Sequence, residues 1–197
     1  MMSRDHTMRS FVALPLPEQV CVALSHIQQA IRTLPAEGNR LSYAKRFHLT
    51  LLFLGEISGQ ESARAQKALS AIVFRPFVCQ STLLSFFPNS RAIRVVHIEL
   101  EHHPSLMALQ KQIASALSFL PAANADKKPF VPHLTLARVK HLTNPAGFCN
   151  ALSSLPVPVL QVPVDKIVLF KSILTPQGPL YEKIYEHRGV PPSSDIT

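Results

Sequence analysis

Two short runs, Phe47-His48-Leu49-Thr50-Leu51 and Pro132-His133-Leu134-Thr135-Leu136, each set a histidine two residues before a threonine, between apolar neighbours. Side chains two apart share one face of an extended strand, so His48 with Thr50, and His133 with Thr135, would face one way while the leucines enter a core. Each run then offers one titratable imidazole beside one hydroxyl. If the two strands lie together, two imidazoles and two hydroxyls meet at one cleft, a set suited to concerted acid and base action on a phosphate. Histidine ordinarily titrates near pH 6.5, so close to neutrality one ring can be neutral while its partner carries a proton.

A lone His-x-Thr is common and usually marks a half-exposed strand face. Duplication is what separates these two runs from that background, since both are flanked by apolar residues and both lead into further strand-like sequence. A third match, His141-Leu142-Thr143, precedes Asn144-Pro145 and is predicted to be a turn, because proline removes the next donor and restricts the residue before it. Thr50 and Thr135 would donate to the non-bridging phosphate oxygens, although threonine also favours strands for its own reasons. Arg138 stands five residues past His133, on the opposite face of an ideal strand, so it would need a bulge or the strand's end to reach a phosphate. Phe130 is a candidate for stacking on a base, or an ordinary core ring. His97, His102 and His103 lack a carboxylate or cysteine at ligand spacing, so they are expected on strand or turn surface and no metal site is predicted.

The elements that would position these residues repeat. Arg9 to Leu16 reads as a strand, and Pro17 starts a helix with Val20, Leu24, Ile27 and Ile31 on its apolar side. The first motif strand runs from His48 to Leu54 and ends at Gly55, and a second helix is predicted over residues 60–73. Ala92 to Leu100 is a strand, Pro104 opens a helix with Leu106, Leu109, Ile113, Ala116 and Leu117 on one side, a polar loop covers Ala122 to Lys128, and the second motif strand follows at His133. The intervals from Pro17 to His48 and from Pro104 to His133 nearly match. This order predicts an α+β fold of two pseudo-symmetric lobes, antiparallel sheet with helices outside, the motif strands facing a central cleft. Further strands are expected at 77–87, 157–164, 165–174 and 180–187. Pro156, Pro158 and Pro163 place the second of these at an edge. One structural domain is expected, with its core at 8–190 and a frayed tail at 191–197.

Composition sets outer bounds. The 197 residues are 47% hydrophobic and 16% charged, which excludes a disordered chain, and no apolar run is long enough to cross a bilayer. The amino terminus lacks a separate apolar signal core, so the cytoplasm is the expected compartment. Cys21, Cys79 and Cys149 have no metal or redox spacing and read as reduced thiols. A net charge of +8 favours an anionic partner, and nucleic acid fits best, although the cations are scattered along the chain.

These residues resemble the 2H phosphoesterase superfamily, and within it the RNA 2′,3′-cyclic phosphodiesterases, historically called 2′-5′ RNA ligases. The likeness rests on Arg9 to Pro17, on His48-Leu49-Thr50-Leu51-Leu52-Phe53-Leu54-Gly55-Glu56, on Ser90 to Val96, and on Pro129-Phe130-Val131-Pro132-His133-Leu134-Thr135-Leu136-Ala137-Arg138. It departs at Pro179-Leu180-Tyr181-Glu182-Lys183, where relatives often carry a more basic segment. The resemblance implies a bilobal α+β fold, a cleft open to RNA ends, no metal or organic cofactor, and opening of a terminal 2′,3′-cyclic phosphate to a 2′-phosphate, in some members with 2′-5′ joining. It also implies His48 as proton donor, His133 as proton acceptor, and phosphate contacts from Thr50, Thr135 and Arg138. A monomer without membrane contact is expected. The alternatives are an RNA-end-binding module without catalysis, and a phosphodiesterase acting on 2′,5′-oligoadenylate or ADP-ribose 1″,2″-cyclic phosphate.

Overall fold

A computed structural model describes residues 7–34, 38–124, 129–176 and 178–191. Residues 192–197 of the expected tail and 125–128 of the predicted polar loop thus lie outside the described residues. The chain runs β1 (Met8–Pro15), α1 (Glu18–Arg32), β2 (Arg40–Tyr43), β3 (His48–Ile57), α2 (Gly59–Ser70), β4 (Phe77–Phe87), β5 (Val95–Leu100) and α3 (Pro104–Ala116). After a single 3-10 turn at Pro121–Asn124 come β6 (His133–His141), α4 (Pro145–Ser153), β7 (Gln161–Val164), β8 (Lys166–Thr175) and β9 (Gly178–Arg188).

The expected repeat is present, and its two lobes share one sheet. Strand order is β7-β4-β5-β6-β3-β1-β8-β9, with β2 added beside β6. β3 and β6 meet antiparallel at Leu49 and Leu134. Each of these leucines is the residue after a motif histidine, so the pseudo-twofold axis passes through that pair. It relates β1 to β5 and β8 to β4. Leu49, Leu51, Leu134 and Leu136 are buried, as alternation required. Truncating either central leucine to alanine would cost about 2–5 kcal/mol, because both are fully buried in the core and the cavity left behind collapses only in part.

Local chemistry explains the ends of the elements. Ser58 and Glu61 form a reciprocal capping box on α2. Pro104 at the first turn starts α3, with the His103 ring accepting from the Ser105 amide. The Asn144-Pro145 pair that marked a turn also caps α4, a helix the sequence reading did not anticipate: the Asn144 side chain accepts from the Gly147 amide and Pro145 occupies the first turn. The strand expected over 157–164 shortens to four residues, since Pro156 and Pro158 offer no amide for a ladder and the Leu160 amide is taken by the Ser81 hydroxyl at 2.8 Å. β7 lies at the sheet's edge and pairs with β4 alone, which tolerates Pro163. No helix among the described residues is long and apolar enough to cross a membrane.

Candidate active site

Continued one step either way from Leu49 and Leu134, the antiparallel register sets His48 opposite Thr135 and Thr50 opposite His133. All four side chains are half-buried on the same face, the two imidazoles on a diagonal. They lie close enough that the charge of His133 lowers the pKa of His48.

The bulge that Arg138 required is there. Against β5, Thr135 pairs with His97 and Ala137 with Val96, leaving Leu136 as an extra residue. Leu136 and Ala137 are consequently both buried, and the alternation restarts with Arg138 on the histidine face. Arg138 acts electrostatically on both His48 and His133. β3 carries the same irregularity at the same place: Ala13 pairs with Thr50 and Val12 with Leu52, leaving Leu51 extra.

Each bulge is held from beneath by a glutamine of the other repeat's first helix. Buried Gln28 of α1 donates through Nε2 to the carbonyls of Leu136 at 2.7 Å and Ala44 at 2.9 Å. Gln110 of α3 donates to the Leu51 carbonyl at 3.4 Å, a longer and weaker bond.

The histidines have different surroundings. His133 Nδ1 lies 2.8 Å from the Val131 carbonyl. Only an N–H can satisfy that contact, so in the neutral ring the proton sits on Nδ1 and the Nε2 lone pair is free. His48 stands in the same relation to the Arg46 carbonyl, which raises its pKa, yet its Nδ1 completes no hydrogen bond of good geometry. Burial dominates and carries His48 down to about 4, with His133 and Arg138 adding to the fall. His133 is lowered as well, by burial first and Arg138 next, against the opposing pull of the Val131 carbonyl and the Glu99 carboxylate.

Around His48 the neighbours are aromatic. Phe11 lies 5.0 Å away and Tyr181 meets it edge-on at 4.9 Å between ring centroids. Phe170 and Phe53 extend this patch from Phe11, and Phe53 is 58% exposed. Around His133 are Phe87 at 4.9 Å and His97 at 5.2 Å. His97 was expected on the surface and is instead fully buried, stacked on Phe87 at 3.9 Å. His103 caps α3 and stacks on Phe77. No group of three or more His, Cys, Asp or Glu among the described residues is arranged to hold a metal. Phe130 is half-buried and packs on the core.

Glu99 and Tyr181 were not singled out from the sequence, and His97 was expected on strand or turn surface rather than beside His133. Tyr181 belongs to the segment that departs from the family pattern, yet its position against His48 and within reach of the charges of Arg138 and Arg9 brings it to the cleft. The signal for His97 and Glu99 was their period-two spacing on a predicted strand, the same spacing as in the motifs. Two surface hollows of about 600 and 370 Å³ contain neither motif histidine, so these voids and the chemistry do not coincide.

A continuous antiparallel sheet that brings two His-x-Thr strands together on one face defines the two-histidine phosphoesterase class. Residues 16–174 match the model of the 2′-5′ RNA ligase superfamily. The chain is 31% identical over 183 residues to an RNA 2′,3′-cyclic phosphodiesterase of Thermotoga maritima, covering 91% of this chain and 94% of that one. It is 33% identical over 185 residues to a Thermus thermophilus protein of the same name, covering 88% and 86%. The crystal structure of a Thermus thermophilus protein superposes with a TM-score of 0.74 at 29% identity, covering 92% of this chain and 97% of the other. Escherichia coli LigT, crystallised with NADP+, shares the fold with a TM-score of 0.70 at 22% identity over 93% and 98% of the two chains. The chain belongs to the 2′-5′ RNA ligase superfamily.

Proposed function

We propose that the protein is an RNA 2′,3′-cyclic phosphodiesterase that opens a terminal cyclic phosphate to a 2′-phosphate. The observation that carries this reading is the β3–β6 pairing at Leu49 and Leu134, which sets both His-x-Thr pairs and Arg138 on one face. Family membership and the activity for which the relatives are named support the substrate class. So do the cations near Arg138: Lys140 on β6, with Arg91 and Arg94, lines the 370 Å³ hollow and suits the phosphates of a longer strand.

His133 is the proton acceptor. Its Nδ1–H is committed to Val131, so Nε2 takes a proton from water as the oxygen attacks phosphorus. The bond from phosphorus to the ribose 3′ oxygen breaks, and His48 gives its proton to that oxygen, leaving the phosphate on the 2′ oxygen. With its pKa near 4 in the free protein, His48 takes up its proton together with the anionic substrate, whose charge offsets the cost of burial. Thr50, Thr135 and Arg138 hold the non-bridging oxygens, where negative charge builds in the transition state. Exposed Phe53 offers the terminal base a stacking surface. An RNA 5′-hydroxyl in place of water would give a 2′-5′ linkage by the same displacement.

The test is hydrolysis of a short RNA ending in a 2′,3′-cyclic phosphate, in EDTA, with the position of the product phosphate determined. A 2′-phosphate is expected. Turnover of 2′,5′-oligoadenylate or ADP-ribose 1″,2″-cyclic phosphate in its place would move the substrate, and RNA binding without turnover would make the protein a binding module. Bis(p-nitrophenyl) phosphate, whose leaving group needs no proton, checks the assignment of roles: His48→Ala should retain more of its activity on this ester than His133→Ala, and the reverse would exchange donor and acceptor.

A further inference from the structure

His97 has no role in the chemistry described so far, yet it is the least comfortable residue in the sheet. Its side chain has no exposed surface, and neither ring nitrogen completes a hydrogen bond. An unsatisfied polar group in such a place is destabilising, a cost that a leucine or phenylalanine would avoid. The ring is clamped face-on by Phe87 and abuts His133, while Nε2 lies 3.6 Å from Glu99 Oε1. Glu99 is the register partner of His133, so its side chain rises on the same face, and it remains 31% exposed at the cleft.

Among the described residues the other lobe has no counterpart. The residues opposite Thr50 and His48 on β1 are Ala13 and Pro15, where the residues opposite Thr135 and His133 on β5 are His97 and Glu99. A buried imidazole and a carboxylate therefore stand behind one motif histidine and not behind its twin.

We propose that His97 and Glu99 are a positioning pair for His133: the clamped His97 tethers the Glu99 carboxylate beside His133, where it stabilises the imidazolium formed when His133 accepts a proton. The groups that bear on His133 are Glu99 and His97 from β5, Arg138 from its own strand, and His48 from β3, and Glu99 is the one of these whose charge favours a protonated ring. The same carboxylate pulls His97 upward against its burial, which nonetheless carries that ring down to about 4 and leaves it neutral near pH 7. The tether is the electrostatic contact of this ring with Glu99 Oε1 across 3.6 Å, longer than a completed hydrogen bond.

This rests on His133 being the base, but it is read without substrate. Histidine-labelled protein is titrated by NMR from pH 4 to 8 as wild type, Glu99→Gln, Glu99→Asp and His97→Phe, the last keeping the stack on Phe87. Loss of the carboxylate should move the His133 titration about one pH unit lower, with His97→Phe moving it the same way by less, Glu99→Asp recovering part, and His48 unmoved. At pH 7, kcat/KM for the cyclic RNA should fall up to about tenfold in Glu99→Gln. An unmoved His133 midpoint in folded Glu99→Gln, or an equal shift in His48, overturns the pair. If the titration moves and no cyclic phosphate is opened, the pair stands and the substrate reading fails.

Discussion

The two lobes carry one motif in two settings. Both present His-x-Thr on a central strand, both have a bulge three residues past the histidine, and both have a glutamine beneath the bulge. What surrounds these shared parts differs. The first lobe places Ala13, Pro15 and Phe53 where the second places His97, Glu99 and Arg138. One half is apolar and aromatic, suited to a ribose and base. The other is charged, suited to phosphate and to holding a proton. The repeat supplies two imidazoles, and their unlike surroundings fit the proposed use of one as donor and the other as acceptor.

The largest effects test the shared part. His48→Ala and His133→Ala should each lower turnover of the cyclic RNA by about 10²–10⁴, measured as product per unit time under single-turnover conditions, and near-normal activity in either would end the shared-site reading. Next comes a residue with no twin. Arg138→Ala should cost on the order of 10² in kcat, while Phe53→Ala, at the matching position, should raise KM a few-fold and spare kcat. Equal losses in kcat would mean that the lobes contribute alike.

The glutamines sharpen the comparison further. Gln28 makes two short bonds and Gln110 one long bond. Gln28→Leu should destabilise the protein by about 1–3 kcal/mol in denaturant titration and reduce kcat by letting Arg138 turn away. Gln110→Leu should cost less on both counts, since its bulge leads to Phe53. The pH dependence is the subtlest readout. One imidazole must be protonated and the other neutral, and both are lowered, His48 to about 4. The kcat/KM profile should therefore peak on the acid side of pH 6.5, and a maximum above 7.5 would contradict it. Stability runs the other way. His48 and His97 have folded pKa values near 4, below the unfolded value of about 6.5, so the folded state is undiminished above pH 6.5 and weakens as pH falls from there toward 4. Thermal melts across that window would show the decline.

Much of the site could be read in advance because period-two alternation is a local property. The faces of His48, Thr50, His133 and Thr135 followed from spacing alone, and the decoy at His141 was separated by the proline after it. Arg138 shows where that logic stops. Its face depends on an extra residue in the ladder with β5, which no spacing within β6 reveals. α4 was missed although Asn144-Pro145 is also a helix start, because turn and cap share the same residues. His97 was misplaced on the surface because the sequence reading did not foresee Phe87 stacking over it.

The sequence by itself determined the repeated half-site, the α+β alternation and the chemistry available to four side chains, since these depend on residue type and on neighbours a few positions away. The tertiary structure alone decided that β3 and β6 meet at Leu49 and Leu134, that bulges re-aim Arg138, and that His97 and Glu99 stand behind one histidine only. Those are properties of register between strands far apart in the chain, and register is set by the packing of the whole sheet rather than by any segment within it.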